Sequence, residues 1–410
     1  MSTPEHPRAG CLPDEPPPGS EPVGPASTSG EGADELHRAR AYLLRVAEPP
    51  AAALVAFVAE HGPVEAAARV RRGDVPPAVL KATEARRAYD LVDQDFERAA
   101  AAGARLVVPE DDEWPAWPLL SLDLAAQRGV AEAVSPLALW VSGDIPLGTA
   151  ADRAVAVVGA RASTSYGEHH AAEICHGLAA RSVPVFSGAA YGIDGTAHRA
   201  TLAASGVTVA VLGCALDAGY PSGHVALLDR MARSGGAVVS EYPPGTPPAR
   251  HRFLVRNRLI AALTEGTLVV EAGRRSGARN TASTAGALGK VVMALPGPVS
   301  SGMSVGCHEL IRDARATLVS TVDEILESVG RFGVAEAGAA ARPKRRTDRL
   351  GRDALRAYEA LAVRADRSDT EIAAESGVPL RTVRALLPEL EIDGFAVRGE
   401  AGWRRRRESA

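Results

Sequence analysis

From Ala154 to about Gly330 short apolar runs alternate with helix-length amphipathic stretches, and the runs are apolar throughout rather than at every second position. Strands covered on both faces read this way, and their alternation with helices predicts a mostly parallel α/β sheet. The runs place strands at Ala154–Val158, Val183–Phe186, Thr208–Leu212, Ala237–Val239, Thr267–Val270, Val291–Ala294 and Thr317–Val319. Upstream, from Asp34 to about Ala102, apolar positions recur at helical spacing and are interrupted by Pro49-Pro50, Gly62-Pro63 and Pro76-Pro77. Short helices in a small bundle are expected there. Downstream, Leu350 to Ala362 suits a helix, Asp369 to Gly377 an N-capped helix stopped by glycine, and Pro379 opens a third. Phe395 to Trp403 then reads as a two-stranded wing, which completes the order of a winged helix-turn-helix. Pro388 is expected to kink or end the third helix early.

The punctuation between these blocks divides the chain. Residues 1–32, crowded with Pro, Gly, Ser and Glu, read as a disordered leader. Residues 33–105 form the helical domain. A connector over 106–150 holds Trp114-Pro115-Ala116-Trp117-Pro118 and a lead-in strand at Leu137–Val141. The α/β core spans 151–330, a linker 331–348, the winged-helix domain 349–403 and a basic tail 404–410. No apolar run reaches the ~18 residues of a membrane span and the N-terminus lacks a signal-peptide pattern, so a cytoplasmic protein away from membranes is expected. Cys11, Cys175, Cys214 and Cys307 form no Cys-x-x-Cys pair, which suggests neither a disulfide framework nor a zinc site. No metal or cofactor is expected.

Net charge is −4, from 46 Lys plus Arg against 50 Asp plus Glu. From Ala341 onward 16 basic and 12 acidic residues leave +4, so residues 1–340 carry −8. A mildly acidic body thus precedes a basic end, and a polyanion can still bind wherever arginines form a patch.

Three glycine-rich turns follow predicted strands: Gly159-Ala160-Arg161, Ser187-Gly188-Ala189-Ala190-Tyr191-Gly192-Ile193-Asp194-Gly195, and Gly273 with Ser276-Gly277. Backbone N–H groups at such turns can hold anions, and Arg161 has the fork geometry for a phosphate. The spacing is not Gly-x-Gly-x-x-Gly and no Gly-x-x-x-x-Gly-Lys-Ser/Thr occurs, so neither an ordinary dinucleotide site nor a P-loop is supported. Asp194 is read as the N-terminal charge of a helix in preference to a catalytic acid. His198, four residues on, is read as a helix-surface or core residue in preference to a metal ligand. The densest cluster, Arg250-His251-Arg252-Phe253-Leu254-Val255-Arg256-Asn257-Arg258, holds four arginines and an aromatic. It suits a single nucleic-acid strand, with Arg on phosphates and Phe253 on a base, or equally an amphipathic helix with a charged face.

Taken together, Val158-Gly159-Ala160-Arg161, Ser187-Gly188 through His198, Gly219-Tyr220-Pro221, Ser240-Glu241, Phe253 to Ile260, Val270-Glu271-Ala272, Ser276-Gly277 with Thr281-Ala282, and Leu295-Pro296-Gly297 resemble the DNA processing protein A family, also called Smf. The resemblance implies an extended Rossmann-like core flanked by an N-terminal helical and a C-terminal winged-helix domain. It also implies a non-enzymatic homodimer that binds incoming single-stranded DNA and helps load RecA in natural transformation and recombination, with single-strand-binding protein as a further partner. The DNA contacts expected by position are Gly159, Arg161, Ser187, Gly188, Tyr191, Arg252, Phe253, Arg256, Asn257, Arg258, Ser276, Gly277, Arg279 and Thr281. Two departures stand out. Tyr191 replaces the Arg or Lys common before Gly-Ile-Asp, and Ser276-Gly277-Ala278-Arg279-Asn280-Thr281 replaces Ser-Gly-Ser-Leu-x-Thr. Either Arg279 restores the missing charge or Tyr191 stacks instead. The alternatives are a nucleotide phosphoribohydrolase-type enzyme, whose Pro-Gly-Gly-x-Gly-Thr-x-x-Glu is missing here, and a transcription regulator with a ligand-sensing core.

Overall fold

The computed structural model describes residues 30–330 and 346–406. The expected leader up to Ser29, the linker residues 331–345 and residues 407–410 of the basic tail lie outside the described residues. Contacts divide the chain into two compact units, with the boundary at Ala335 and Glu336.

The first unit is built on a nine-stranded sheet. Its strands are β1 (Ala104–Val107), β2 (Leu139–Ser142), β3 (Val155–Val158), β4 (Val185–Ser187), β5 (Thr208–Leu212), β6 (Ala237–Ser240), β7 (Gly266–Val269), β8 (Val291–Ala294) and β9 (Thr317–Leu318). They lie in the order β1-β2-β6-β5-β4-β3-β7-β8-β9. All neighbours from β6 to β9 run parallel, whereas β1–β2 and β2–β6 are antiparallel. The seven strands expected in the core all form, shifted by at most two residues. β1 was not expected: it lies where the helical pattern was read to end, and four residues ending on an antiparallel edge leave little periodicity to detect.

Alternate residues of β3 explain why the parallel strands are apolar throughout. Ala156 and Val158 pack with Phe186, Val209 and Leu259 on one face, while Val155 and Val157 pack with Ala171, Ile174 and Leu268 on the other. Both faces are therefore covered by helices, chiefly Arg250–Ala262 and Gly277–Ala287 on the first and Ser165–Ala179 and Ile193–Ala203 on the second. Leu310 and Ile325 of later helices also belong to these cores. The helices from Gly30 to Ala101 have their own core, and Trp140 and Leu106 of the sheet's antiparallel edge are part of it.

Topology places the candidate site. The chain leaves β3 for β4 on one side and returns to β7 on the other, so the connections after β3 and β7 diverge and open a crevice at the strands' C-terminal ends.

The second unit has helices Arg352–Glu359, Asp369–Ser376 and Leu380–Ile392, followed by an antiparallel hairpin of β10 (Ala396–Arg398) and β11 (Trp403–Arg405). Ser368 opens the second helix with a reciprocal cap to Glu371. The third helix runs through Pro388 to Ile392, contrary to the early end expected. Val383, Leu387 and Leu390 are buried on its inner face and offset the hydrogen bond that Pro388 cannot make. Among the described residues no helix is long and apolar enough to cross a membrane.

Candidate nucleic-acid interface

The crevice is a cleft of about 930 Å³. The turn after β3 supplies Gly159 and Arg161. A Cβ on Gly159 would meet the Ile193 side chain at 2.5 Å, so glycine is what lets this turn lie against the next helix. Arg161 is exposed, forms no salt bridge among the described residues and stands 5.6 Å from the centre of the Phe253 ring. Tyr220, after β5, brings its ring to 5.3 Å from Phe253. Two aromatic faces and an arginine thus meet at the mouth of the cleft.

The helix Arg250–Ala262 resolves the two readings of the arginine cluster by dividing it. Arg250, Phe253, Leu254 and Asn257, at i, i+3, i+4 and i+7, face the cleft. Arg252 and Arg258 are structural. Arg258 is buried, donates two 2.7 Å hydrogen bonds to Glu241 and a third to the Val134 carbonyl at 2.9 Å. Arg252 donates to Glu48 at 2.6 and 3.1 Å and to the Pro247 carbonyl. The expected DNA contacts Arg252 and Arg258 therefore do not line the cleft, because carboxylates distant in sequence already hold their charge.

Arg256 lies on the cleft floor. Its guanidinium donates to the Val211 carbonyl and packs so closely on Gly188 that a Cβ there would lie 2.2 Å from Nη1. Burial lowers its pKa to about 10, with the Asp194 charge acting in the opposite direction. Burial raises the Asp194 carboxyl, against Arg256 and the N–H groups of Ala190, Gly188 and Gly159. The Gly188 and Ala190 bonds to Asp194 are 3.1 and 3.4 Å. Glu271 acts similarly on the next helix start, accepting from the Thr164 N–H at 2.9 Å and from the Thr164 hydroxyl. Of the N–H donors expected to face a phosphate around the first two turns, those of Gly159, Thr164, Gly188 and Ala190 are thus taken by carboxylates of the chain itself.

Ser187 is fully buried and its hydroxyl donates to the Val157 carbonyl at 2.6 Å, joining β4 to β3 and removing it from the expected contacts. In the third turn Ser276 caps the helix Gly277–Ala287 by accepting from Ala278 N–H at 3.2 Å. Ser276, Gly277 and Thr281 line the cleft. Arg279 instead pairs with Glu309 at 2.6 Å and does not line it; the exposed Arg275 does. Of the two remedies for the missing charge, Arg279 is thus committed elsewhere. Tyr191 lines an adjoining slot with Gly188, Tyr220 and Phe253, its ring 4.9 Å from His224.

Tyr220, Arg250 and Arg275 also line the cleft and were not among the expected contacts. Tyr220 carried a usable signal, an aromatic in the loop after a third strand at the same sheet edge. His198 is buried, its Nδ1 2.7 Å from Thr208 Oγ1, and burial lowers its pKa to about 3. Among the described residues, one group could offer a metal three ligand atoms, His169, His170 and Glu173, all within 4.8 Å, and none of them lines the cleft.

Residues 105–330 match the family described as DNA recombination-mediator protein A. The chain belongs to that family. A relative from Mycobacterium tuberculosis, named as a DNA processing protein DprA, is 50% identical over 371 residues, covering 90% of this chain and 95% of its own. The protein Smf of Escherichia coli is 45% identical over 199 residues, 48% of this chain and 52% of its own. The X-ray structure of DNA processing protein A from Streptococcus pneumoniae superposes with a TM-score of 0.56 at 28% identity, covering 75% of this chain and 100% of that one. Within the DNA processing protein A family motif, then, this chain keeps the Gly-x-Arg turn and the Phe-x-x-Arg-Asn-Arg run, yet places only Arg161, Phe253, Arg256 and Asn257 of these side chains along the cleft.

Proposed function

We propose that this chain is a non-enzymatic protein that binds single-stranded DNA in the cleft, without sequence preference, and serves DNA uptake, natural transformation and recombination as a homodimer that hands the strand to RecA. The observation that carries the binding step is the separation of roles at the sheet edge. Asp194 and Glu271 occupy inner N–H groups, which disfavours a buried nucleotide phosphate, while Arg161, Arg250 and Arg275 stand at the cleft without salt-bridge partners among the described residues and Phe253 and Tyr220 offer stacking faces. Outer cations with aromatic platforms suit a flexible strand whose bases are free, and suit a duplex poorly.

The recombination role, RecA and single-strand-binding protein rest on the family membership. The C-terminal unit is read as a winged helix with an accessory role. Its third helix exposes Arg381 and Arg384, but Arg384 is engaged by Asp369 and the same helix carries Glu389 and Glu391. Asp194 on the cleft floor is the one feature that favours a phosphoribohydrolase reading, and its engagement by three N–H groups supports a structural role instead.

The deciding measurement is binding of fluorescent single-stranded and duplex oligonucleotides across a salt series. Preference for the single strand, with binding weakened by Phe253→Ala and by Arg161→Glu, is the expected result. Release of free base from nucleoside monophosphates at an enzymatic rate would replace this reading with the ribohydrolase.

A further inference from the structure

We propose that the strand continues out of the cleft into a second pocket, where one base stacks on Tyr89 of the N-terminal helical region. This rests on the single-stranded DNA reading above and extends its footprint to a part of the chain outside residues 105–330, the span of the family match.

The pocket has a volume of about 260 Å³ and is lined by Arg45, Arg86, Tyr89, Leu91, Pro247 and Arg252 among others. That is near the lower end, roughly 300 Å³, of cavities that hold small ligands, and it suits a single base better than a folded molecule. Tyr89 is 60% exposed and Leu91 38%. The Tyr89 ring makes no aromatic stack and its hydroxyl no hydrogen bond among the described residues. An exposed aromatic beside a second apolar side chain and an arginine has the composition of a stacking platform.

Continuity with the cleft is covalent. Pro247 lines this pocket and Pro248 the cleft, so one peptide bond, about 3.8 Å between Cα atoms, separates the two walls. Arg250 faces the cleft, and the next residue, His251, turns to Glu48 on the side of the second pocket.

Charge around the pocket is close to balanced. Glu48 takes Arg86, Arg252 and His251, Asp95 takes Arg45, and Asp217 and Arg98 both stand at Gly245. Stacking rather than phosphate neutralisation therefore carries the interaction, and removing the ring leaves the salt dependence unchanged.

The test is fluorescence anisotropy of the full chain with oligothymidylates of about five and about twenty nucleotides, lengths on either side of typical single-strand site sizes. Tyr89→Ala, a change on an exposed ring, should leave the short strand's affinity at the parent value and weaken the long strand roughly five- to a hundredfold, with the same salt slope. Phe253→Ala is the control for the cleft and should weaken both lengths. If Tyr89→Ala binds both lengths like the parent while Phe253→Ala weakens both, the second pocket is overturned and the cleft stands. If neither variant changes either length, the cleft reading fails and the second pocket with it. An equal weakening on both lengths for Tyr89→Ala would indicate disturbed packing and also overturn the proposal.

Discussion

Arg258 and Glu241 form a bidentate pair with both nitrogen–oxygen distances at 2.7 Å and side chains only 3% and 4% exposed. An ion pair withdrawn from water this far is tolerated because its geometry is near ideal and the Val134 carbonyl takes a further guanidinium N–H. Removing one partner leaves the other charge buried alone. Arg258→Met should therefore cost about 3–5 kcal/mol of stability, and pairing it with Glu241→Met should recover much of that. Thermal unfolding of the three variants checks this. Below the unfolding range Arg258→Met should retain DNA affinity, an outcome opposite to that expected of a residue bound to phosphate.

Arg161→Glu reverses an exposed charge at the cleft mouth. The plot of log affinity against log salt should become shallower by about one for each phosphate that the protein no longer neutralises, as well as being displaced to weaker binding. Titrations at several salt concentrations read both quantities.

Phe253→Ala and Tyr220→Ala each remove one face of the aromatic pair, whose centroids are 5.3 Å apart. Each should weaken single-strand binding by roughly 1–3 kcal/mol. The double variant should be weakened by less than the sum if both rings hold the same base, because neighbours that share a partner are not additive. Isothermal titration of the four proteins completes the cycle.

Gly188→Ala introduces a Cβ into the space of the Arg256 guanidinium, 2.2 Å from Nη1. The guanidinium must shift from the Val211 carbonyl, and the cleft floor with it. Binding should weaken along with a drop in melting temperature, whereas Gly277→Ala, with nothing near its Cβ, should change neither stability nor fold.

Glu48 connects the helical region to Arg252 and His251 of the α/β core. Burial opposes its ionisation, but hydrogen bonds from Arg252, Arg86 and His251 outweigh burial and hold its pKa at about 2, below the ordinary 4.5. A carboxylate depressed in the folded state contributes stability that is complete above about 4.5 and is lost as pH falls toward 2. Urea unfolding from pH 7 to 2 should show the parent and Glu48→Gln converging across that window, the variant being the weaker at neutral pH.

The parallel strands were legible because each is buried on both faces, a condition that residues such as Val155 to Val158 meet within a single run. The arginine cluster was not legible in the same way. Its composition is that of a nucleic-acid contact, but Arg252 and Arg258 are claimed by Glu48 and Glu241, partners at sequence separations that periodicity does not register. Ser187 and Arg279 were likewise misplaced because a hydroxyl or guanidinium in a glycine-rich turn points wherever a carbonyl or carboxylate from another strand or helix awaits it. The cleft-facing set Arg250, Phe253, Leu254 and Asn257 follows helical spacing, and a helical wheel drawn over the cluster would have isolated it.

Trp140 lies in β2, yet it packs with Tyr42, Leu54 and Val70 of the N-terminal helices, and β2 is hydrogen-bonded to β6. The helical region is consequently fused to the sheet through a shared interior and is no detachable bead. Cutting the chain at residue 105 would therefore leave Leu106 and Trp140 without the interior they share with these helices. The unit that folds together with the sheet thus begins further toward the N-terminus than residue 105, where the family match starts.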